Sequence, residues 1–405
     1  MTRLAIDFGT SNTAAALMAG NSPAVLPMEP GAETLPTAVF MDFSRKRFIY
    51  GTAALAALRD GAEGRFLRAL KSVLGTPLAQ ENRSFLGERM TLIEVIARFL
   101  DEIRQRSEAF TGLRFDAVLS GRPVRFHSAD AARDAQAEAD LRAAYSLAGF
   151  RDVAFLPEPE AAALAVGGTG RMLIVDIGGG TSDFTLCDRA NAVTQVLASR
   201  GLRLGGTDFD RTLSLAHAMP LFGYDAPIRA QIGNARHPAP RAPFQDLATW
   251  EKIPFVYDAA LLREVRRWVR LSDDPRLFER LAEVLEAHLG HDVAHAVEAA
   301  KIAANDAGDG QIALHLVERG LTAALPRAAM EAALSAAATA IGDEAMATLA
   351  DAGVAADTVD VVVFVGGSSL LAAIRSELGR RLPHARQELS EVFTAVAHGL
   401  AIAAA

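Results

Sequence analysis

Asp7-Phe8-Gly9-Thr10-Ser11-Asn12-Thr13 follows the apolar run Leu4-Ala5-Ile6, and the pattern returns as Asp176-Ile177-Gly178-Gly179-Gly180-Thr181-Ser182-Asp183 after Met172-Leu173-Ile174-Val175. In each copy a buried-type strand ends in a carboxylate, turns tightly through glycine and hydroxyl residues, and resumes an apolar strand. Glycine lets the main chain approach a ligand closely and adopt positive φ. The turn N–H groups make an anion-binding concavity, while the flanking aspartates repel a phosphate unless a cation lies between them. One such turn reads equally well as an ordinary β-hairpin. Two facing each other predict a clamp for a magnesium-bound polyphosphate.

A third element points the same way. Val361-Val362-Val363-Phe364-Val365 runs through Gly366-Gly367-Ser368-Ser369 into the helical pattern Leu370, Leu371, Ile374, Leu378. A strand that passes through paired glycines into a helix start offers free N–H groups and close backbone approach to a nucleotide. The three in this order predict an α/β chain of the actin-like ATPase (ribonuclease H-like) fold: two lobes, each with a mixed five-stranded sheet flanked by helices plus an outer subdomain.

On these residues the chain resembles the DnaK-type heat-shock chaperones of the actin-like ATPase superfamily, and most of all their truncated bacterial YegD-like relatives. Asp7–Thr13 is similar to the family's first phosphate loop, 176–183 to its second, and 361–369 to its adenosine loop. Pro157-Glu158-Pro159-Glu160-Ala161-Ala162-Ala163 resembles its Asn-Glu-Pro-Thr-Ala-Ala-Ala helix start, and Leu204-Gly205-Gly206-Thr207-Asp208-Phe209-Asp210 its Leu-Gly-Gly-Glu-Asp-Phe-Asp segment. Ser120-Gly121-Arg122-Pro123-Val124 and Met219-Pro220-Leu221-Phe222-Gly223-Tyr224 resemble the truncated subgroup. The likeness is ordered along the whole chain and weakest in 38–110 and 225–295.

Composition bounds the alternatives. A chain of 405 residues buries roughly three-quarters of its unfolded surface and exceeds one core, so two lobes are expected. Its apolar half, rich in alanine, predicts much helix. A net charge of −8 without a basic block argues against nucleic acid. No signal-peptide pattern and no uninterrupted apolar stretch of about eighteen residues is visible, so the expectation is a cytoplasmic protein with no membrane partner. The one cysteine, Cys187, sits in a strand pattern and reads as a buried, inert thiol.

Lysine is scarce. Of 41 basic residues only Lys46, Lys71, Lys252 and Lys301 are lysines. A lysine retained against that bias marks a place where a compact ammonium fits and a planar fork does not. Lys71 and Lys301 fall where the family resemblance puts nucleotide-site lysines; Lys46 and Lys252 read as surface residues.

The domain sketch follows the motifs. Residues 1–168 form lobe I, with 37–113 as its outer subdomain; 169–405 form lobe II, with 207–308 as its outer subdomain. Strands are expected near 38–41 and 115–120, and helices near 53–60, 91–108 and 128–148. The proline-rich 225–258 reads as an extended surface loop, and 392–405 as a terminal helix near the interlobe seam. His291 and His295 stand four apart on a helix, a spacing that suits a metal, but without a third ligand they read as a solvated face. There is no G-x-x-x-x-G-K-[ST] pattern and no G-x-S-x-G elbow.

What the resemblance implies for the chemistry is specific. Asp7 and Asp176 hold the waters of Mg2+ from opposite sides, as befits an ion that takes few direct carboxylates. Gly9, Thr10, Ser11, Asn12, Gly178, Gly179, Gly180, Thr181 and Asp183 form the phosphate cradle, with Gly205, Gly206, Gly366, Gly367 and Ser368 closing on the nucleoside. Lys71 orients the attacking water, and Glu158, placed before the Pro159 that starts a helix, is the water-orienting carboxylate. Glu298 and Lys301 share the ribose hydroxyls, although an isolated i,i+3 salt bridge has the same spelling. Where the family has an arginine stacked on adenine, this chain has Ile302, which predicts weak ATP binding and modest base preference.

The expected function is a DnaK-like, ATP/ADP-binding chaperone module with slow Mg-dependent ATP hydrolysis in the interlobe cleft. It works on or with a protein partner, as a monomer or weak oligomer. The family's peptide-binding β-sandwich and lid are not read in the sequence, which reaches Ala405. A bacterial actin-like filament protein and a small-molecule kinase of the same superfamily are the alternatives.

Overall fold

Two apolar strands, Arg3–Phe8 and Gly170–Ile177, each sit at the centre of a sheet. The computed structural model describes residues 2–127, 130–165, 169–190, 193–230, 235–389 and 394–405. Each central strand turns back into an antiparallel neighbour, Asn12–Ala19 or Ser182–Ala190, and then into a third strand, Ser22–Val25 or Val193–Leu202. On its other side each takes two parallel strands from far along the chain. These are Ala117–Arg122 and Asp152–Pro157 in the first sheet, Val361–Val365 and Arg386–Leu389 in the second. The spatial order, third-second-first-fourth-fifth, is the same in both. The first sheet adds a short sixth strand, Thr34–Pro36, beside Asn12–Ala19.

Parallel neighbours require a crossover, and a helix supplies it in each sheet: Ala131–Leu147 in the first, Ala372–Arg381 in the second. Two further helices, Glu158–Ala165 and Ala395–Ala404, share one core with both sheets. Ala161, Ala162, Ala163, Val396 and Leu400 pack with Ala5 and Ala14 of the first and with Met172, Ile174 and Val363 of the second. Alanine and glycine permit this close stacking. At Gly399 an added methyl would run into the Ala161 carbonyl, so the helices cross with almost no side chain between them.

By compactness the chain divides into one unit of 1–206 with 338–405, and a second of 207–337. The larger holds both sheets and the small antiparallel sheet of Ala38–Asp42, Arg47–Tyr50 and Gly64–Arg68. Its Leu92–Thr111 helix opens on a capping box between Thr91 and Glu94. The expected helix over 128–148 is seen as Ala131–Leu147, residues 128–129 lying outside the described part. The terminal helix is seen from Ala395; residues 392 and 393 also lie outside it.

The smaller unit contains the helices Ala259–Leu271, Pro275–Glu286 and Gly290–Ala307 and the hairpin Asp309–Ala313/Thr322–Pro326. Its proline-rich stretch is not the extended surface loop that the sequence suggests. It forms a short hairpin, Pro227–Arg229 with Arg236–Pro238, the helix Ala242–Leu247 and a 3-10 turn at Ile253–Phe255. Pro243 and Pro254 open helical turns, where the missing N–H costs nothing. Phe244, Leu247, Trp250 and Ile253 between them are buried. Burial of these large apolar residues outweighs the loop signal of the prolines.

Among the described residues no helix is long and apolar enough to cross a membrane. Cys187 is fully buried, and loss of hydration, followed by the nearby Asp188, pushes its thiol up to about 11. Lys46 and Lys252 are exposed, Lys252 paired with Asp246 at 2.7 Å.

Candidate functional site

Both glycine-hydroxyl turns leave their sheets at corresponding places in the larger unit. In the first, Asp7 stands opposite Ala14 and Phe8 opposite Thr13. The turn is held from outside by Thr37, whose hydroxyl donates to the Gly9 carbonyl at 2.9 Å and whose N–H donates to Ser11 at 2.9 Å. In the second, Asp176 stands opposite Asp183, and the Gly178 N–H closes the turn onto the Thr181 carbonyl at 3.0 Å.

The two turns abut, and their glycines are what allow it. A methyl on Gly179 would lie 2.8 Å from the Ser11 hydroxyl and from Thr10; one on Gly180 would lie 3.2 Å from the Thr10 hydroxyl. The Leu204-Gly205-Gly206 segment backs onto the same turn. The Gly206 N–H donates to the Gly178 carbonyl at 3.0 Å, and a methyl on Gly205 would be 2.7 Å from the Gly179–Gly180 backbone. Gly206 and Ser368 are also in contact range. Gly366, at φ 78°, brings the third glycine turn against Asp176, a left-handed conformation that favours glycine. A 3-10 turn, Gly367–Leu370, stands between that strand and its helix, so the paired glycines do not enter the helix directly as the sequence suggests.

Charge gathers where these turns meet. Lys71 lies on the 3-10 turn Leu70–Val73, entered through Ala69 in a left-handed conformation. Its ammonium is hydrogen-bonded to the Glu158 carboxylate, and both groups are buried. Glu158 opens the Glu158–Ala165 helix, against Gly121. Asp183, almost wholly buried, accepts the Val124 N–H at 2.6 Å.

Four carboxylates thus gather around one ammonium. Asp7 keeps part of its surface open, yet loss of hydration and then Glu158 push its carboxyl up to about 7 against the pull of Lys71. Burial and Glu158 push Asp183 to about 8, although the Val124 N–H, the Thr181 hydroxyl and Lys71 draw it down. Asp176 is raised well above the carboxylate range by burial, then by Glu158, Asp183 and Asp7. For Lys71, burial works against the charge, but Glu158 and Asp7 outweigh it and hold the ammonium above its ordinary value. Hydroxyls and main-chain N–H groups beside a surplus of buried acid suit an oxygen-ligated cation that carries phosphate. Among the described residues no three His, Cys, Asp or Glu side chains form a direct metal-binding group.

A small open pocket lies here, lined by Thr10, Lys71, Ser72, Gly180, Thr181 and Arg203. Thr37, Ser72, the Val124 N–H and Arg203 are not singled out by the sequence reading. Only the Ser120–Val124 stretch carries a hint, through its own resemblance.

Glu298 and Lys301 lie on the Gly290–Ala307 helix of the smaller unit. Lys301 pairs with Asp210 at 2.6 Å, both buried, rather than with Glu298. The Trp250 indole N–H donates to the other Asp210 oxygen at 3.3 Å. Burial raises the Asp210 carboxyl, with Lys301 opposing and Glu298 adding to the rise. Glu298 lies 3.5 Å from the His295 ring nitrogen, and Ile302 is 54% exposed. His291 and His295 are not a solvated face: both rings pack near Trp250, and His291 is buried. The apolar wall of an indole accounts for their four-residue spacing.

Duplicated sheets in this strand order, with glycine turns meeting over buried acids, define the actin-like ATPase fold. The Hsp70 family model, described as Hsp70 protein, matches residues 3–231, and the chain belongs to that family. Its general character is ATP-binding and chaperone-like, and its members generally bind ATP or ADP with Mg2+. The matched stretch includes both glycine-hydroxyl turns, Lys71 and Glu158; Glu298, Lys301 and the Gly366 turn lie beyond it.

Proposed function

We propose that the chain binds Mg-ATP at the meeting of its glycine turns and hydrolyses it slowly to ADP and phosphate. The observation that carries this reading is the set of four carboxylates around Lys71, beside two glycine turns whose backbones abut. Asp7 and Asp176 hold the waters of the cation, which when bound neutralises phosphate charge. The hydroxyls of Thr10, Ser11 and Thr181 and the turn N–H groups hold phosphate oxygens. Lys71, steered by Glu158, orients the attacking water. The water oxygen bonds to the γ-phosphorus, the bond to the β–γ bridging oxygen breaks with its electron pair left on ADP, and the water proton ends on the released phosphate. Little covalent work falls to the protein in such a transfer; positioning and charge do most of it.

Nucleotide-dependent change in this cytoplasmic module would act on or with a protein client. For Lys301, the pairing with Asp210 favours a structural role over a ribose contact. Calorimetric titration of the full chain with Mg-ATP and Mg-ADP tests the reading, together with Asp176→Asn. That variant is expected to weaken Mg-dependent binding and to lose turnover almost completely. Hydrolysis at the native rate would overturn the assignment. Failure to sediment with ATP separates this function from a filament-forming one.

A further inference from the structure

We propose that Asp140 is a positioning residue for Lys71: from the Ala131–Leu147 helix it clamps the main chain just past the Leu70–Val73 turn, and so fixes where the ammonium meets Glu158. What this does for turnover rests on the reading of Lys71 as the group that orients the attacking water; the clamp itself rests on geometry.

The turn that carries Lys71 has little to hold it from within. It is one short 3-10 turn, a form with poor hydrogen-bond geometry. Its entry is set by Ala69 in the left-handed region, at φ 57°, and the Ser72 N–H donates to the Ala69 carbonyl at 3.0 Å. Its exit is set from far along the chain. The buried Asp140 carboxylate accepts the Gly75 N–H at 2.9 Å through one oxygen. Its other oxygen accepts the side-chain amides of Gln80 and Gln136, each at 2.7 Å.

The opposite edge of the same peptide is held too. The Leu74 carbonyl accepts from His127 Nε2 at 2.8 Å. His127 is aligned by the same helix, because Asp134 accepts its N–H at 3.2 Å and that of Phe126 at 2.6 Å. Both polar atoms of the Leu74–Gly75 peptide are thus fixed, and a planar unit fixed at both edges has its orientation set. Gly75 stands at φ 74°, where an added methyl would run into the Arg133 carbonyl and lie 2.9 Å from His127 Nε2. Glycine there lets the chain lie directly on the helix backbone.

A lysine has a flexible four-carbon stem, so its ammonium is only as well placed as the main chain beneath it. A buried carboxylate is costly unless hydrogen bonds satisfy it, and here the bonds that satisfy Asp140 are the ones that hold the turn. Asparagine at 140 would offer one acceptor oxygen and set an NH2 against one of these donors. A reacting group displaced by about 1 Å can lose on the order of 100-fold in rate.

Lysine-selective NMR and single-turnover hydrolysis, both on the full chain, test the clamp. The lysines are Lys46, Lys71, Lys252 and Lys301, and the Lys71 signal is the one lost in Lys71→Ala/Glu158→Gln. Asp140→Asn is expected to shift the Lys71 ε-carbon signal and leave that of exposed Lys252 in place. Well below its melting temperature it should slow hydrolysis at saturating Mg-ATP about tenfold, with Mg-ATP affinity within about twofold. Added to Lys71→Ala/Glu158→Gln, it should change the rate by less than about twofold, because the ammonium it positions is gone. A general loosening of the fold would instead slow both backgrounds alike. If Asp140→Asn does not fold, His127→Leu, which removes the donor to the Leu74 carbonyl, takes its place in both measurements. An unmoved Lys71 signal, or equal slowing in both backgrounds, would overturn the role of Asp140. A shifted signal with an unchanged rate, or in a chain that hydrolyses no ATP, would uphold the clamp and overturn the water-orienting reading of Lys71.

Discussion

Asp176 and Asp183 stand opposite each other on neighbouring antiparallel strands, in register and buried. Burial first and Glu158 next raise both carboxyls, Asp183 adds to the rise of Asp176, and Lys71 and the Val124 N–H offset only part of the rise of Asp183. The hairpin therefore carries this acid pair at a cost to its own stability.

That cost has a definite sign with pH. Asp183 titrates near 8 in the folded chain against 3.8 for the free carboxyl. The folded state then holds more protons than the unfolded state between those values, so stability falls as pH climbs through that window and the loss is complete above about 8. Asp183→Asn keeps an acceptor for Val124 and removes the penalty. Without nucleotide it is expected to melt at least about 2 °C above the native chain at pH 8, with the gap closing towards pH 4. Thermal unfolding across that range measures it; a gap independent of pH would contradict the argument.

Lys71→Ala separates chemistry from binding. If the ammonium acts mainly on the attacking water, most Mg-ATP affinity remains while hydrolysis falls about 100-fold. The same change strands Glu158 as a buried acid, a loss on the order of 3–5 kcal/mol. The double variant Lys71→Ala/Glu158→Gln should recover part of the stability and none of the rate. Denaturant unfolding and single-turnover kinetics read the two effects independently.

Gly399→Ala addresses the packing of the core. The new methyl would meet the Ala161 carbonyl where the helices Glu158–Ala165 and Ala395–Ala404 cross. Overpacking of this kind costs about 1–3 kcal/mol, seen as a lower urea midpoint at an unchanged slope. Because Glu158 sits on the first of these helices, a fall in hydrolysis should accompany it.

Lys301→Met tests the buried pair in the smaller unit. Removing one partner leaves Asp210 uncompensated beside Trp250, a loss of about 3–5 kcal/mol. Adding Asp210→Asn should restore most of it. If Lys301 served the ribose instead, its loss would lower nucleotide affinity while leaving the melting temperature unchanged.

Much of the fold was legible because the glycine-hydroxyl turns are local. A carboxylate at a strand end, glycine where backbones touch and hydroxyls between them must be written contiguously, since a tight turn is made by neighbouring residues. The duplicated sheets follow from the repetition of that spelling, and Lys71 stood out because the chain otherwise writes arginine. The proline-rich 225–258 misled, as burial of Phe244 and Trp250 is a property of their surroundings and not of their neighbours in sequence.

The family, the two glycine turns, their acids and the alanine-rich helices are written in local pattern and composition. Which partner each charge takes is set by the packing of distant segments. It joined Lys71 to Glu158, 87 residues away, and Lys301 to Asp210, 91 residues away. It also brought Arg203 and Ser72 to the mouth of one pocket. A buried charge is satisfied by whichever opposite charge or dipole the packed core brings within reach, and that distance is set by the crossing of strands and helices rather than by spacing along the chain.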